Sequence, residues 1–536
     1  MQPLGILPLD ARPVCYDWLI QLASMANVSV LLPPREQLGS LKTKADTSEL
    51  QALFQHVRDH DSAIHRLPRH WIVSMDMLLY GGLIPSRLGS ESLDSILRTL
   101  DTVFKSPENK EDSLFSVLGF SSIMRIPNYN FSEEEPDYWN EWGEALYQFS
   151  VTAHQESLDS ARSKTTVPDS ILNDFLERRQ RNFQVNLALL DSVEQGNLNT
   201  LTYCQDDTGP YGLNVQEARI LTQAIEERGL SDSVSVKTGA DEVASCLMAK
   251  HWTTQTQLSP RIGVHYSHPE GGHALARFDG LPIQTVVSQQ IKACGAIHVE
   301  LDESNPVDLL LIVHTPASFS GQGDHCSKIP AHTEPEQYTH ITDILSQASQ
   351  TLQPCILADV AYANGADPTL IPQLFRLNAQ HNGILIDQLL YGFAGWNTPG
   401  NTIGCAVSMA VIRWLFEKTV LNHEEVNHEE VNHEVDRTLF LHHQQACREL
   451  LLTRLCDDWL YQSKIRPRIR EKLQQKESPE LLDTALLNQS MQAGLGMILH
   501  QVNLPVDTAV RFEYPCSRTF EIRVIFENNN TVEIES

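Results

Sequence analysis

Two adjacent carboxylates, Asp206 and Asp207, close a β-favouring run that includes Leu201 and Tyr203. A Gly-Pro turn and Tyr211-Gly212 follow, then a helical pattern with Val215, Ala218, Ile220 and Leu221. Paired aspartates at the carboxyl end of a strand sit where α/β enzymes place their chemistry. Like charges in close contact disfavour double ionisation, so one carboxyl can keep a proton while its neighbour is charged. Glycoside hydrolysis needs that division between an acid and an anion. Asp207 is therefore assigned as general acid, and Asp206 as the group that orients a nucleophilic acetamide or water. The alternative is an ordinary strand-to-helix turn in which Asp caps the helix and Gly supplies the bend. Recurrence of the pattern along the chain favours chemistry.

The first strand runs into Asp10-Ala11-Arg12-Pro13, where Arg12 can clamp an anionic or hydroxyl-rich ligand or brace its own turn against Asp10. A third strand ends in Asp76, followed by Tyr80-Gly81-Gly82 and Arg87, with glycines that allow close backbone approach. Arg125 lies just beyond a fourth strand. Asp10, Arg12, Asp76, Tyr80, Arg87, Arg125 and Tyr211 are thus expected to bind substrate. Helix capping explains Asp241 and Glu242 at least as well as catalysis does, and Glu133-Glu134-Glu135 reads as a solvated helix start. Later turns hold Asp359 and Asn364, then Trp396-Asn397-Thr398-Pro399-Gly400-Asn401. Trp offers a stacking face and Asn both donor and acceptor, which suits a polyhydroxylated ring. Asp457 and Asp458 read as surface charges of a helix.

These residues need parallel strands to carry them. Strands are expected near 5–9, 28–32, 71–76, 115–120, before Asp206, and at 234–237, with helices between. The pattern predicts a (β/α) barrel-like domain over 1–252. A polar linker at 253–260 leads to a second parallel α/β unit over 260–417. Its strands are expected at 262–266, 297–301, 309–313, 355–359 and 383–386. One barrel that draws its last strands from this second region is the alternative. The run Asn422-His423-Glu424-Glu425-Val426 repeats in tandem, with a five-residue period that fits neither a helix face nor a His metal motif, so 418–436 reads as a linker. Residues 437–536 read as mainly helical, ending in a β-hairpin turned at 527–530.

Composition narrows the functions. The formal charge of −28 repels phosphate backbones, which argues against nucleic acid. Ten scattered cysteines without a CxxC pair read as reduced thiols. No segment approaches the roughly 20 apolar residues of a membrane helix. The opening Met1-Gln2-Pro3-Leu4-Gly5-Ile6-Leu7 lacks a basic n-region. The expectation is a cytoplasmic protein with no membrane partner, no cofactor and a small-molecule or carbohydrate substrate.

The motifs Pro-Leu-Asp-x-Arg-Pro, Asp-x-x-x-Tyr-Gly-Gly, Asp-Asp-Thr-x-x-Tyr-Gly, Gly-Ala-Asp-Glu and Gly-Trp-Asn-Thr-x-Gly-Asn-Thr resemble a bacterial family filed as a domain of unknown function. The resemblance runs through the chain except the His-Glu repeat and implies no reaction. More narrowly, Asp206-Asp207 and the Trp396-Asn397 turn are similar to substrate-assisted N-acetylhexosaminidases, in which one acid orients the acetamide and the next protonates the glycosidic oxygen. The leading expectation is a glycoside hydrolase. A metal-dependent hydrolase using Asp10, Asp76, Asp206, Asp359 and His265 is the first alternative. A non-catalytic binding protein is the second.

Overall fold

The computed structural model describes residues 1–59, 67–104, 115–302, 305–316, 335–421, 433–475 and 483–527. The chain forms two compact units. The first comprises Met1–Ala23, Val28–Gln255 and Ala276–Gln289; the second comprises Ser24–Asn27, Thr256–Leu275 and Gln290–Ser536.

The first unit is built on strands β1 (Leu4–Leu7), β2 (Val30–Leu31), β3 (His70–Ser74), β4 (Ser116–Ile123), β5 (Thr200–Gln205) and β6 (Val234–Thr238). They run parallel in the order β2-β1-β3-β4-β5-β6. The expected parallel α/β architecture holds, and the strand order sharpens it. The sheet is open, with β2 and β6 at its edges, rather than rolled into a barrel. Winding reverses between β1 and β3, the kind of switch point at which doubly wound sheets leave a crevice. β1 is wholly buried, and β3 and β4 are buried except at their first residues, so these strands read as continuous apolar runs. Phe54, on helix Thr47–Asp59, anchors one side of the core. Its ring meets Trp71 edge-on at 5.5 Å, Phe104 at 5.8 Å and Phe115 at 5.7 Å.

The second unit carries β7 (Arg261–Tyr266), β8 (Ile297–Val299), β9 (Leu309–His314), β10 (Cys355–Asp359) and β11 (Leu390–Ala394), parallel in the order β11-β10-β9-β7-β8. Counted within the unit, the order is again 2-1-3-4-5, with its switch between β7 and β9. The strand expected at 383–386 lies later, at β11. Asn382 and Gly383 take positive φ (55° and 81°), and Leu385–Leu389 coils as a π-helical turn, its Ile386 amide donating to Asn378 Oδ1 at 2.9 Å. The polar run from Thr253 is likewise no linker at its start. Helix Val243–Thr256 continues through it, because Thr253 and Thr254 turn their hydroxyls back onto the Lys250 carbonyl, both at 2.8 Å.

Helices His433–Arg454, Arg466–Gln475 and Thr484–Gln501, with the π-helical Leu455–Ile465 between the first two, make the C-terminal region helical. The expected terminal strand pair is present, but β13 (Arg523–Phe526) pairs antiparallel with the upstream β12 (Val510–Glu513). Residues 528–536 lie outside the described residues, as does 422–432, most of the His-Glu repeat. Among the described residues no helix is long and apolar enough to cross a membrane. Asp457 and Asp458 are not surface charges. Both are buried, and Asp458 accepts the Gly395 amide at 2.7 Å while pairing with Arg454. That carboxylate pins the loop after β11 to the C-terminal helices.

Gly5 tests the packing of the first sheet. A Cβ there would stand 2.1 Å from the fully buried Trp71 ring on the neighbouring strand. Gly5→Ala is expected to destabilise the first unit by about 1–3 kcal/mol, read from its urea-unfolding midpoint.

Candidate active site

Because the first sheet is all parallel, its strands deliver their following residues to one edge. Asp10 and Arg12 follow β1, Arg125 follows β4, Asp206 and Asp207 follow β5, and Asp241 follows β6. The register sets Ile123 beside Gln205 and Gln205 beside Thr238, so the turns after β4, β5 and β6 start side by side. Ser74 caps helix Met75–Tyr80, accepting the Met77 amide at 3.2 Å. Gly81 and Gly82, with φ of 80° and 132°, then turn the chain into helix Leu83–Leu88, which carries Arg87.

Two buried guanidiniums organise this edge. Arg87, 2 % exposed, donates from Nη1 to Glu135 Oε1 at 3.1 Å and from Nη2 to Asp206 Oδ2 at 2.5 Å. Arg125, 7 % exposed, donates from Nε to Glu135 at 2.8 Å, from Nη1 to Asp207 Oδ2 at 2.6 Å and from Nη2 to Glu134 at 2.8 Å. Its Nη2 also reaches the Tyr129 hydroxyl at 3.2 Å. Four carboxylates thus face two cations. The arginines are sealed, whereas Asp206 and Asp207 are 16 % and 24 % exposed and remain reachable.

Asp207 is the distinctive group. Burial, reinforced by the charge of Asp206 and opposed by Arg125, pushes its carboxyl up to about 6. Its backbone is in the left-handed region, at φ 39°. The loop is fastened by the Thr208 amide, which donates to the Phe278 carbonyl at 2.6 Å. Beside it, Arg12 binds Asp10 through Nε at 2.8 Å and Asp241 through Nη1 at 3.0 Å. Burial lifts Asp241 to about 7; Arg12 opposes the shift, while Asp10 and Asp206 add to it. Asp206 therefore acts electrostatically on both clusters. Asp76 lies behind, buried, accepting the Ser122 amide at 2.9 Å, and burial raises its carboxyl.

Asp10, Arg12, Asp76, Arg87, Arg125, Asp206 and Asp207 thus follow the carboxyl ends of strands of one sheet. Their roles differ. Arg87 and Arg125 each pair with protein carboxylates. Tyr80 is a core residue, with the Arg181 guanidinium 5.4 Å over its ring. Tyr211 is exposed near His154, their rings 5.8 Å apart. Glu134, Glu135 and Asp241 belong to these ion-pair clusters, although Glu134 and Glu135 read from sequence as a helix start and Asp241 equally well as a cap. Their only signal was the surplus of arginines at strand ends. Tyr129, whose hydroxyl accepts from Arg125 at 3.2 Å, was also missed.

Asp359, Asn364, Trp396, Asn397 and Asn401 belong to the second sheet. Asp359 is buried and accepts the Asp367 amide at 2.7 Å, and burial lifts its carboxyl to about 7. Asn364 and Asn397 take positive φ, and the Asn364 amide donates to the Asn397 carbonyl at 3.2 Å. Asn401 is occupied internally, donating to the Trp396 carbonyl at 3.1 Å; Trp396 is 1 % exposed and offers no stacking face. His265 lies on β7, its ring 6.3 Å from that of His340. The strand ends at this unit's switch point carry a buried network instead. His314 bridges Asp367 at 3.1 Å and Ser267 at 3.2 Å, and Tyr338 donates to Asp367 at 2.9 Å. No group of three or more His, Cys, Asp or Glu suited to hold a metal occurs among the described residues.

A family model described as protein of unknown function (DUF4127) matches residues 4–525, and the chain belongs to that family. No curated protein and no solved structure matches it.

Folding raises Asp207 above its ordinary 3.8, so the folded state holds that proton more tightly than the unfolded chain. The contribution is complete below pH 3.8 and is lost as pH rises through about 6. Asp207→Asn should therefore gain stability relative to wild type on going from pH 4 to pH 8, by on the order of 1–2 kcal/mol. Urea unfolding at both pH values reads the difference; no gain at pH 8 would mean the charge is not disfavoured there.

Proposed function

We propose that this member of a family of unknown function is a carbohydrate-active hydrolase of the glycoside hydrolase type, acting on a sugar or amino sugar. The observation that carries the reading is the unequal pair at the end of β5. Both are paired with arginine, Asp206 with Arg87 and Asp207 with Arg125, yet burial raises the Asp207 carboxyl towards neutrality. In this role Asp207 gives its proton to the glycosidic oxygen as the bond to the anomeric carbon breaks. Asp206, as the anion, orients the attacking acetamide or water.

The surroundings support a neutral, hydroxyl-rich substrate. Arg12, Arg87 and Arg125 all hold carboxylates of the protein, so an incoming phosphate or carboxylate would meet acidic groups before any cation. Acceptor-rich carboxylates match the donors of sugar hydroxyls. Tyr129, 37 % exposed and hydrogen-bonded to Arg125, which pairs with Asp207, provides a ring face beside that acid.

The test is hydrolysis of an aryl-glycoside panel that includes N-acetylhexosaminides. Asp207→Asn is expected to lower kcat by about 10²–10⁴ on substrates whose leaving group needs protonation. The basic limb of the wild-type pH profile should fall near the Asp207 value of about 6. Full activity in Asp207→Asn would remove the assignment.

A further inference from the structure

In the second unit, Gln462 and its neighbours form a setting that the proposed hydrolytic site does not involve. Arg466 opens helix Arg466–Gln475 and is 7 % exposed. Its Nη1 donates to Gln462 Oε1 at 2.9 Å, and its guanidinium carbon lies 5.2 Å over the Phe520 ring. Its Nε–H has no acceptor, and among the described residues no carboxylate lies within ion-pair distance of it. The nearest acid is one amide away: Gln462 Nε2 donates to Asp457 Oδ1 at 3.1 Å, so the Gln462 amide stands between the two charges. Burial, with Asp458 beside it, pushes Asp457 up to about 8, which leaves it largely protonated at neutral pH.

Around the same Phe520 ring stand two more donors. Trp396 is 1 % exposed, its ring is 5.2 Å from that of Phe520, and its Nε1–H has no acceptor. Arg518 lies 4.9 Å over the ring and pairs with Glu521 at 3.2 Å. The ring itself is firmly placed. The Phe520 carbonyl accepts Gln462 Nε2 at 2.9 Å, and the Thr519 carbonyl accepts the Tyr461 hydroxyl at 2.7 Å. Phe520 is only partly buried, so the setting is open on its side.

Buried donors without acceptors are rare in folded proteins. Here two come from separate elements, one of them a cation, and both border one fixed ring. We infer that a small oxyanion, the terminal carboxylate or phosphate of a metabolite, binds beside Phe520, accepting from Arg466 Nε–H and Trp396 Nε1–H. Guanidinium presents a planar fork that matches either oxyanion.

The full chain is titrated with inorganic phosphate and, separately, with acetate, by calorimetry and thermal midpoint, against sodium chloride at equal ionic strength. Saturable binding of one ion, absent with chloride, is expected, and the ion that binds more tightly identifies the oxyanion class. Arg466→Met should weaken that binding at least tenfold. Trp396→Phe, which removes the N–H and keeps an aromatic ring, should weaken it several-fold. Absence of saturable binding by both ions overturns the inference, as does unchanged affinity in Trp396→Phe and Arg466→Met. If Arg466→Met does not fold, Arg466→Lys takes its place: the ammonium lacks the fork, and affinity equal to wild type would again overturn the inference.

Discussion

The buried pairing of Arg87 and Arg125 with Glu134, Glu135, Asp206 and Asp207 is the constraint on which the first unit's functional edge depends. Removing two guanidiniums from water is expensive, and only close, multiply hydrogen-bonded carboxylates offset it. The chain must therefore bring helix Leu83–Leu88, the turn after β4, the loop at Glu134 and the turn after β5 to one point. Deleting one partner would leave the rest desolvated and unbalanced, which typically costs about 3–5 kcal/mol. Arginine suits this task where lysine would not, because each fork serves several carboxylates at once. Beside the same arginines, burial and then the charge of Asp206 raise Asp207.

The second unit shows the contrasting case. It repeats the strand order of the first, yet the network at its switch point is closed on itself. Ser267 accepts the Thr315 amide at 2.9 Å and Gln337 Nε2 at 3.0 Å while touching His314 at 3.2 Å. Asp367 is filled by His314, Tyr338 and the Thr369 amide. A saturated buried network rigidifies loops and leaves little valence for a ligand. Around Phe520 the reverse holds, because Arg466 and Trp396 each retain a donor without an acceptor. Fold topology alone would rank these places in the opposite order, so the state of the individual hydrogen bonds decides between them.

Much of the framework was legible in the sequence because parallel α/β strands announce themselves as apolar runs bounded by turns. β1, β3, β5, β7, β9 and β10 fall where those runs lie. The misplaced β11 marks where that signal fails. Ile384 and Ile386 are apolar in either a strand or a helical turn, and only the Asn382-Gly383 reversal and the bond to Asn378 select the turn. β13 pairs with the upstream β12, a partner chosen by packing and not by the nearest turn. Among the candidate residues, the placement of Asp206 and Asp207 after β5 was legible from position alone. Glu134, Glu135 and Asp241 were not, because a carboxylate that caps a helix and one that meets a buried arginine have the same local sequence.

By itself the sequence determined which residues end each parallel strand, and hence that Asp10, Arg125, Asp206 and Asp207 share an edge, because parallel strands in register leave no other arrangement. Only the tertiary structure decided what those residues meet there. It made Arg87 and Arg125 internal counter-ions, placed Tyr80 and Trp396 in the core, and left Arg466 Nε without an acceptor among the described residues. The reason is physical: charge pairing and desolvation act through space at a few ångströms, between segments tens to hundreds of residues apart, and no local pattern encodes that proximity.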